Sequence, residues 1–204
     1  PMDRDTVWFN NEEKGEKVKI RCYQAAFGIS KAELLQDIAG WSKKWREKFR
    51  GRFKMVDDAS ISKWQIERVL KSCKPGLVVI DQIDKITGFA ADREDIMLGR
   101  IYQWARELAK THKCAIIGVC QAGASGEGKM YMTMDDVDRS KTSKQAEADF
   151  IIAIGKDHDK PEYLRGISIL KNKLDGDEHT VEEFRHGKQS VIIEPVIARY
   201  SMQG

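Results

Sequence analysis

Two strand ends and one acidic pair carry the chemistry open to this chain. Asp81 closes the run Gly76-Leu77-Val78-Val79-Ile80, which is apolar, β-branched and entered from Pro75. A run without polar alternation suits a strand of a parallel sheet, buried on both faces. Open α/β sheets bind ligands outside the carboxyl ends of such strands, and an Asp there can hold the magnesium of a bound nucleotide. An Asp that merely turns the chain at the end of a buried strand would read the same. A second apolar run, Cys114 to Cys120, ends at Gln121. An amide in that place can touch a terminal phosphate and report its presence; simple turn chemistry is the plainer reading. Glu12 and Glu13 follow a third run, Thr6-Val7-Trp8-Phe9, after Asn10-Asn11. The Glu-Glu-Lys-Gly stretch suits a solvated helix start, where acids favour the dipole.

The elements that must position these groups alternate along the chain. Between the runs at 76–80 and 114–120, Ile96, Leu98, Ile101, Trp104, Ala105 and Leu108 recur at helical spacing, predicting a helix over 94–111. That is one βαβ unit, so Asp81 and Gln121 are expected on the same sheet edge. Upstream, a strand at 6–9 leads to a helix at 16–27 closed by Gly28. Ser30 is expected to cap a helix at 31–49, with Glu33 as its reciprocal partner. A strand at 52–56 and a helix at 60–71, capped by Ser60 or Ser62, come next. Downstream, strands are expected at 150–155 and 166–170, with 180–185 and 191–195 as a closing antiparallel pair. The fold class is α/β: a mainly parallel sheet flanked by helices, with an antiparallel C-terminal edge.

Composition sets only broad bounds. The 204 residues suffice for one well-filled α/β core, and 41% hydrophobic with 33% charged residues is ordinary for a globular domain. A net charge of +3 is too small to imply nucleic acid by itself. Cys22, Cys73, Cys114 and Cys120 have no paired spacing and read as reduced core residues of a cytosolic protein. His112, His158, His179 and His186 lack ligand spacing. No apolar run reaches membrane-spanning length, and no signal peptide is visible.

The polar stretch 122–145 breaks the alternation. Its position beyond Gln121 suggests a mobile binding loop, in which Lys129, Arg139, Lys141 and Lys144 can track a phosphate backbone. A disordered excursion is the alternative. Gly123 to Lys129 imitates a phosphate-binding P-loop, but Met130 stands where that motif needs a Ser or Thr hydroxyl, and no helix pattern starts at Lys129. It is rejected as one.

Five segments in order, Trp8-Phe9-Asn10-Asn11-Glu12-Glu13, Leu77-Val78-Val79-Ile80-Asp81, Val119-Cys120-Gln121, Lys144-Gln145-Ala146-Glu147-Ala148-Asp149 and Lys171-Asn172-Lys173, span most of the chain. Together they resemble the RecA-like motor domain of phage replicative helicases of the DnaB superfamily. The resemblance implies a single RecA-like domain over 1–204 and an ATP-dependent DNA helicase motor with ATP (or another NTP) and Mg2+ as cofactors. It implies hydrolysis at the subunit interfaces of a homo-oligomeric, hexameric ring moving on single-stranded DNA. The setting is the bacterial host cytoplasm, away from membranes, with a primase domain or other replication proteins as further partners. By the same resemblance Glu12 or Glu13 activates water, Asp81 holds magnesium through water, and Gln121 senses the γ-phosphate. Lys171 and Lys173 reach the neighbouring subunit's nucleotide, Arg199 and Tyr200 border the adenine, and 122–145 faces DNA.

Two departures matter. Lys173 stands where an arginine finger is usual in these helicases and so resembles the Lys-x-Lys arrangement of RecA-type recombinases, which favours a strand-exchange ATPase as one alternative. The family's P-loop precedes the strand at Val7, so the domain is expected to be incomplete at its N-terminus. That leaves a non-catalytic DNA- or protein-binding module on a degenerate ATPase fold as the other alternative.

Overall fold

The apolar runs of the first 120 residues pair as a parallel sheet. In the computed structural model, which describes residues 4–137, 141–174 and 186–202 (side chains of 141–143 excepted), the strands are β1 (Asp5–Asn10), β2 (Phe53–Asp57), β3 (Pro75–Ile80) and β4 (Ala115–Gly118). Their order is β2-β1-β3-β4, with every neighbouring pair parallel. The chain divides into two compact units, Pro1–Cys120 and Gln121–Gly204, and this sheet belongs to the first.

One face of the sheet is sealed. Val7, Phe9, Val78 and Ile80 have no solvent exposure and cluster with Ile66 and Leu70 of α4 (Lys63–Lys71) and with Leu98, Ile101, Trp104 and Leu108 of α5 (Glu94–His112). The alternate residues Trp8, Leu77 and Val79 remain partly exposed. Beside Trp8 runs an aromatic chain: Trp8 against Phe53, Phe53 against Trp45, and Trp45 against Tyr23, with ring centroids 6.5, 5.4 and 4.5 Å apart. Burial on both faces, expected for β3, is thus complete on one face only. The same expectation for the 114–120 run is corrected. β4 ends the strand order, and Ile117 and Val119 are 50% and 40% exposed.

Local signals placed several helix ends. α1 (Gly15–Phe27) ends at Gly28 with φ 66°, a left-handed value glycine adopts without strain. Ser30 and Glu33 form the expected capping box. The single helix expected over 31–49 is instead two, α2 (Lys31–Gln36) and α3 (Ile38–Phe49). Asp37 leaves helical geometry at φ −143°, and its carboxylate accepts from the Gly40 amide at 2.8 Å, recapping the chain one residue after α2 ends. At α4 the cap is Ser62, not Ser60, with Gln65 as the reciprocal partner.

The second unit holds β5 (Phe150–Gly155), β6 (Leu164–Asn172), β7 (Lys188–Glu194) and β8 (Arg199–Met202), an antiparallel sheet in chain order. The antiparallel strands therefore form a sheet of their own. β8 was not foreseen, and the strand expected at 180–185 lies outside the described residues.

The polar stretch after Gln121 is locally ordered where described, with 3-10 turns at Ala124–Gly126 and Met134–Asp136 and a helix α6 at Lys141–Glu147. Asp136, 1% exposed, organises it: the carboxylate accepts from Lys129 Nζ at 2.7 Å and from the Thr133 amide and hydroxyl at 2.8 and 3.0 Å. Gly155 and Gly166 are cross-strand partners of β5 and β6. A Cβ on either would run into the backbone carbonyls of Lys129 or Met130. The paired glycines are the notch in which this segment is seated.

Candidate active site

The strand order creates a crevice where chemistry can collect. From β1 the chain crosses to β2 on one side, then returns past β1 to β3 on the other, and then to β4. Order 2-1-3-4 has its switch point between β1 and β3, and the carboxyl ends there flank the natural ligand crevice of an open parallel sheet. Asn10 to Glu13 leave β1 at this point, Asp81 and Gln82 leave β3, and Asp57 closes β2 opposite Asn10.

Asp81 continues the ladder by one bond, its amide donating to the Phe9 carbonyl at 3.0 Å. Partial burial pushes its carboxyl above the usual carboxylate range, and the negative charges of Glu12 and then Glu13 add to this. A hydrogen bond from the Gln82 backbone and the Lys85 ammonium oppose the shift. Negative charge here outweighs the compensation it receives.

The two glutamates have different surroundings. Glu13 is gripped by both guanidinium nitrogens of Arg21, one of them at 3.1 Å, and this hydrogen-bonded partner holds its carboxyl below the usual range. Glu12 accepts from the neutral Gln82 amide, Nε2 to Oε2 at 2.8 Å, and has Lys85 Nζ 3.5 Å from Oε1.

Buried amides support the crevice. Asn10 Nδ2 donates to the Glu13 carbonyl and to Asp57 Oδ1, both at 2.5 Å. Asp57 Oδ2 in turn accepts from the Gly15 amide at 3.0 Å, capping α1 from the neighbouring strand. A Cβ on Gly15 would collide with that carboxylate. Asn11 Nδ2 donates to the Gln82 carbonyl at 3.2 Å. The Oδ1 atoms of Asn10 and Asn11 are buried and have no hydrogen-bond partner.

Among the described residues no three carboxylate, imidazole or thiol groups converge to hold a metal by themselves. What stands here is a half-buried Asp, a neighbouring Glu and two orphaned amide oxygens, all hard oxygen donors. Magnesium fits such a set, because it keeps several waters and binds through one or two carboxylates plus substrate phosphates.

The other sequence candidates lie in the second unit. Gln121 is its first residue and is exposed. Lys171 Nζ donates to the Gln145 carbonyl of the same chain. Lys173, just beyond β6, is exposed, with its backbone amide on the Asp149 carbonyl at 2.8 Å. Arg199 and Tyr200 are exposed on β8 opposite Glu194 and Ile193.

Of the DNA-contact candidates, Lys129 is tied to Asp136, and Lys144 is 2% exposed and offers no ammonium to solvent. Arg139 lies outside the described residues, as does the side chain of Lys141. No α-helix starts at Lys129, in keeping with rejection of the P-loop imitation. Sequence reasoning missed Asn10, Asn11, Asp57 and Gln82, whose roles depend on strand pairing that no local pattern announces.

Comparison with known proteins supplies the family. The model of the AAA domain family matches residues 1–127. Among solved structures, the ATPase domain of G40P superposes with a TM-score of 0.76 at 18% identity, covering 99% of this chain and 75% of that one. A DnaB-like replicative helicase, from a structure describing its interactions with primase, gives 0.76 at 17% identity, covering 99% of this chain and 51% of that one. The chain thus spans about half the length of that helicase. The search of curated proteins gives no match. The family match runs across the whole parallel sheet and its switch-point crevice, and by it this chain belongs to the AAA domain family, with the RecA-like fold of DnaB-type helicase motor domains.

Proposed function

We propose that this chain is the motor part of a replicative DNA helicase, hydrolysing ATP with Mg2+ and moving on single-stranded DNA. The observation that carries the reading is the acidic cluster at the β1/β3 switch point: Asp81, raised by burial and by Glu12, beside two orphaned amide oxygens. Bound magnesium would offset the charge of the nucleotide phosphates. Asp81 would hold it through water, and the Asn11 oxygen is free to accept from that hydration shell.

Glu12 is the general base in this reading. It orients the attacking water and takes its proton, while Glu13, clamped by Arg21, shapes the start of α1. Gln121 senses the γ-phosphate. Lys171 and Lys173 act on the nucleotide of the next subunit in a hexameric ring, with Lys173 the more exposed of the two. Arg199 and Tyr200 border the base. DNA contact falls to the 122–145 segment, with Arg139 and Lys141 as its phosphate-binding residues. A primase domain or other replication proteins are its partners, in the cytoplasm of the host cell.

The test is ATP turnover by the protein as it occurs, with and without single-stranded DNA. DNA-stimulated, magnesium-dependent hydrolysis is expected. Nucleotide binding without turnover at any DNA concentration would overturn the motor reading in favour of a binding module.

A further inference from the structure

Gln82 has a backbone that its residue type does not favour. At φ 51° and ψ 57° it is left-handed, one of four non-glycine residues with positive φ among the described residues, and it is 6% exposed. Such a conformation is strained for a residue with a Cβ and persists where the surroundings over-determine it. Here they do. The Asp81 amide before it is held by Phe9 at 3.0 Å, and the Ile83 amide after it by Val119 at 2.9 Å. The Gln82 carbonyl accepts from Asn11 Nδ2 at 3.2 Å and from the Lys85 amide at 2.9 Å. From this turn the side-chain amide reaches Glu12, ending 2.8 Å from its Oε2.

We propose that Gln82, braced by Asn11, is the positioning residue for Glu12: its left-handed turn holds an amide donor that aims the carboxylate at the attacking water. This rests on the reading of Glu12 as the general base. Asn11 and Glu12 are adjacent, so one short stretch after β1 both fixes the turn and receives its product. The near contact of Glu12 is this neutral donor at 2.8 Å, its cation Lys85 standing farther off at 3.5 Å, whereas Arg21 clamps Glu13 directly. The side chain that follows the magnesium-binding Asp therefore ties the two catalytic strand ends together.

The test compares Gln82→Met, Gln82→Gly and Glu12→Gln in the intact protein, by steady-state ATP hydrolysis and by equilibrium binding of a non-hydrolysable ATP analogue. Gln82→Met keeps the side-chain length, adds no charge and removes the donor; Gln82→Gly removes the side chain while easing the left-handed backbone. Both are expected to lower kcat by about 100-fold, the cost of a small misplacement of a reacting group, with KM and analogue affinity close to wild type. Folding is read independently from thermal unfolding, which Gln82→Gly is expected to leave intact. Wild-type kcat in either folded variant, or a loss confined to KM, overturns the proposal. If Glu12→Gln also turns over normally, the base reading itself has failed. If Glu12→Gln is inactive while the Gln82 variants are not, only the positioning role falls.

Discussion

The chain gathers acidic groups in two places and treats them in opposite ways. At the ends of β1 and β3, Asp81 is pushed above the ordinary carboxylate range by burial and by Glu12, and two buried amide oxygens lack donors. In the 122–137 segment, Asp136 is driven well below that range, first by the Lys129 ammonium and then by the Thr133 amide. The first arrangement is unfavourable until something positive arrives; the second is complete. Unsatisfied charge marks where a ligand belongs, and satisfied charge marks where a loop is held.

The comparison is broken most severely at Asp81. Asp81→Ala is expected to abolish magnesium-dependent hydrolysis, and unchanged turnover would remove the residue from the site. Next come the glutamates: Glu12→Gln should cost at least about 100-fold in kcat, within the range of general-base losses. Glu13→Gln should leave turnover near wild type, since Glu13 already spends its charge on Arg21. A reversal of that order would transfer the base role to Glu13.

On the satisfied side, Gly155→Ala or Gly166→Ala places a methyl group against the Lys129–Met130 backbone. Denaturant unfolding should show a loss of about 1–3 kcal/mol, the usual cost of overpacking.

Acid provides a gentler break. Asp136 has a folded-state pKa below its unfolded value, so its stabilisation is fully present above the unfolded value of about 3.9 and is lost as pH falls through and below it. Amide exchange over 122–137 should rise in that window, and Asp136→Asn should show the faster exchange already at neutral pH.

The smallest effect has the opposite sign. Asp81 has a raised pKa, so it contributes stability only when protonated, and this is lost as pH rises through its folded value. Asp81→Asn should therefore raise stability slightly at neutral pH without magnesium, by under about 1 kcal/mol because the group is partly solvated. A lower Tm would contradict the picture of an acidic group short of partners.

Much of this was legible in the residues. The run ending at Asp81 and the helical spacing from Ile96 to Leu108 announced a βαβ unit, and Gly28, Ser30 and Glu33 announced their caps. The break at Asp37 was readable in principle, since an Asp three residues before a Gly is a cap signal, but apolar spacing on both sides masked it. The exposure of Ile117 was not readable, because edge and centre are properties of strand order, not of a strand's own sequence. The left-handed turn at Gln82 was hidden for a related reason: it is stabilised by Phe9, Asn11 and Val119, which lie far along the chain. The choice between Glu12 and Glu13 needed the same long-range information, the partner of each carboxylate.

The central claim is that the carboxylates at the β1/β3 crevice drive nucleotide hydrolysis. Its most direct test is magnesium-dependent ATP turnover by wild-type protein and by Glu12→Gln, with nucleotide binding measured on both. Turnover in the wild type and its loss in the variant, with binding retained, is the expected result. Equal turnover in the two, at equal binding, would contradict it.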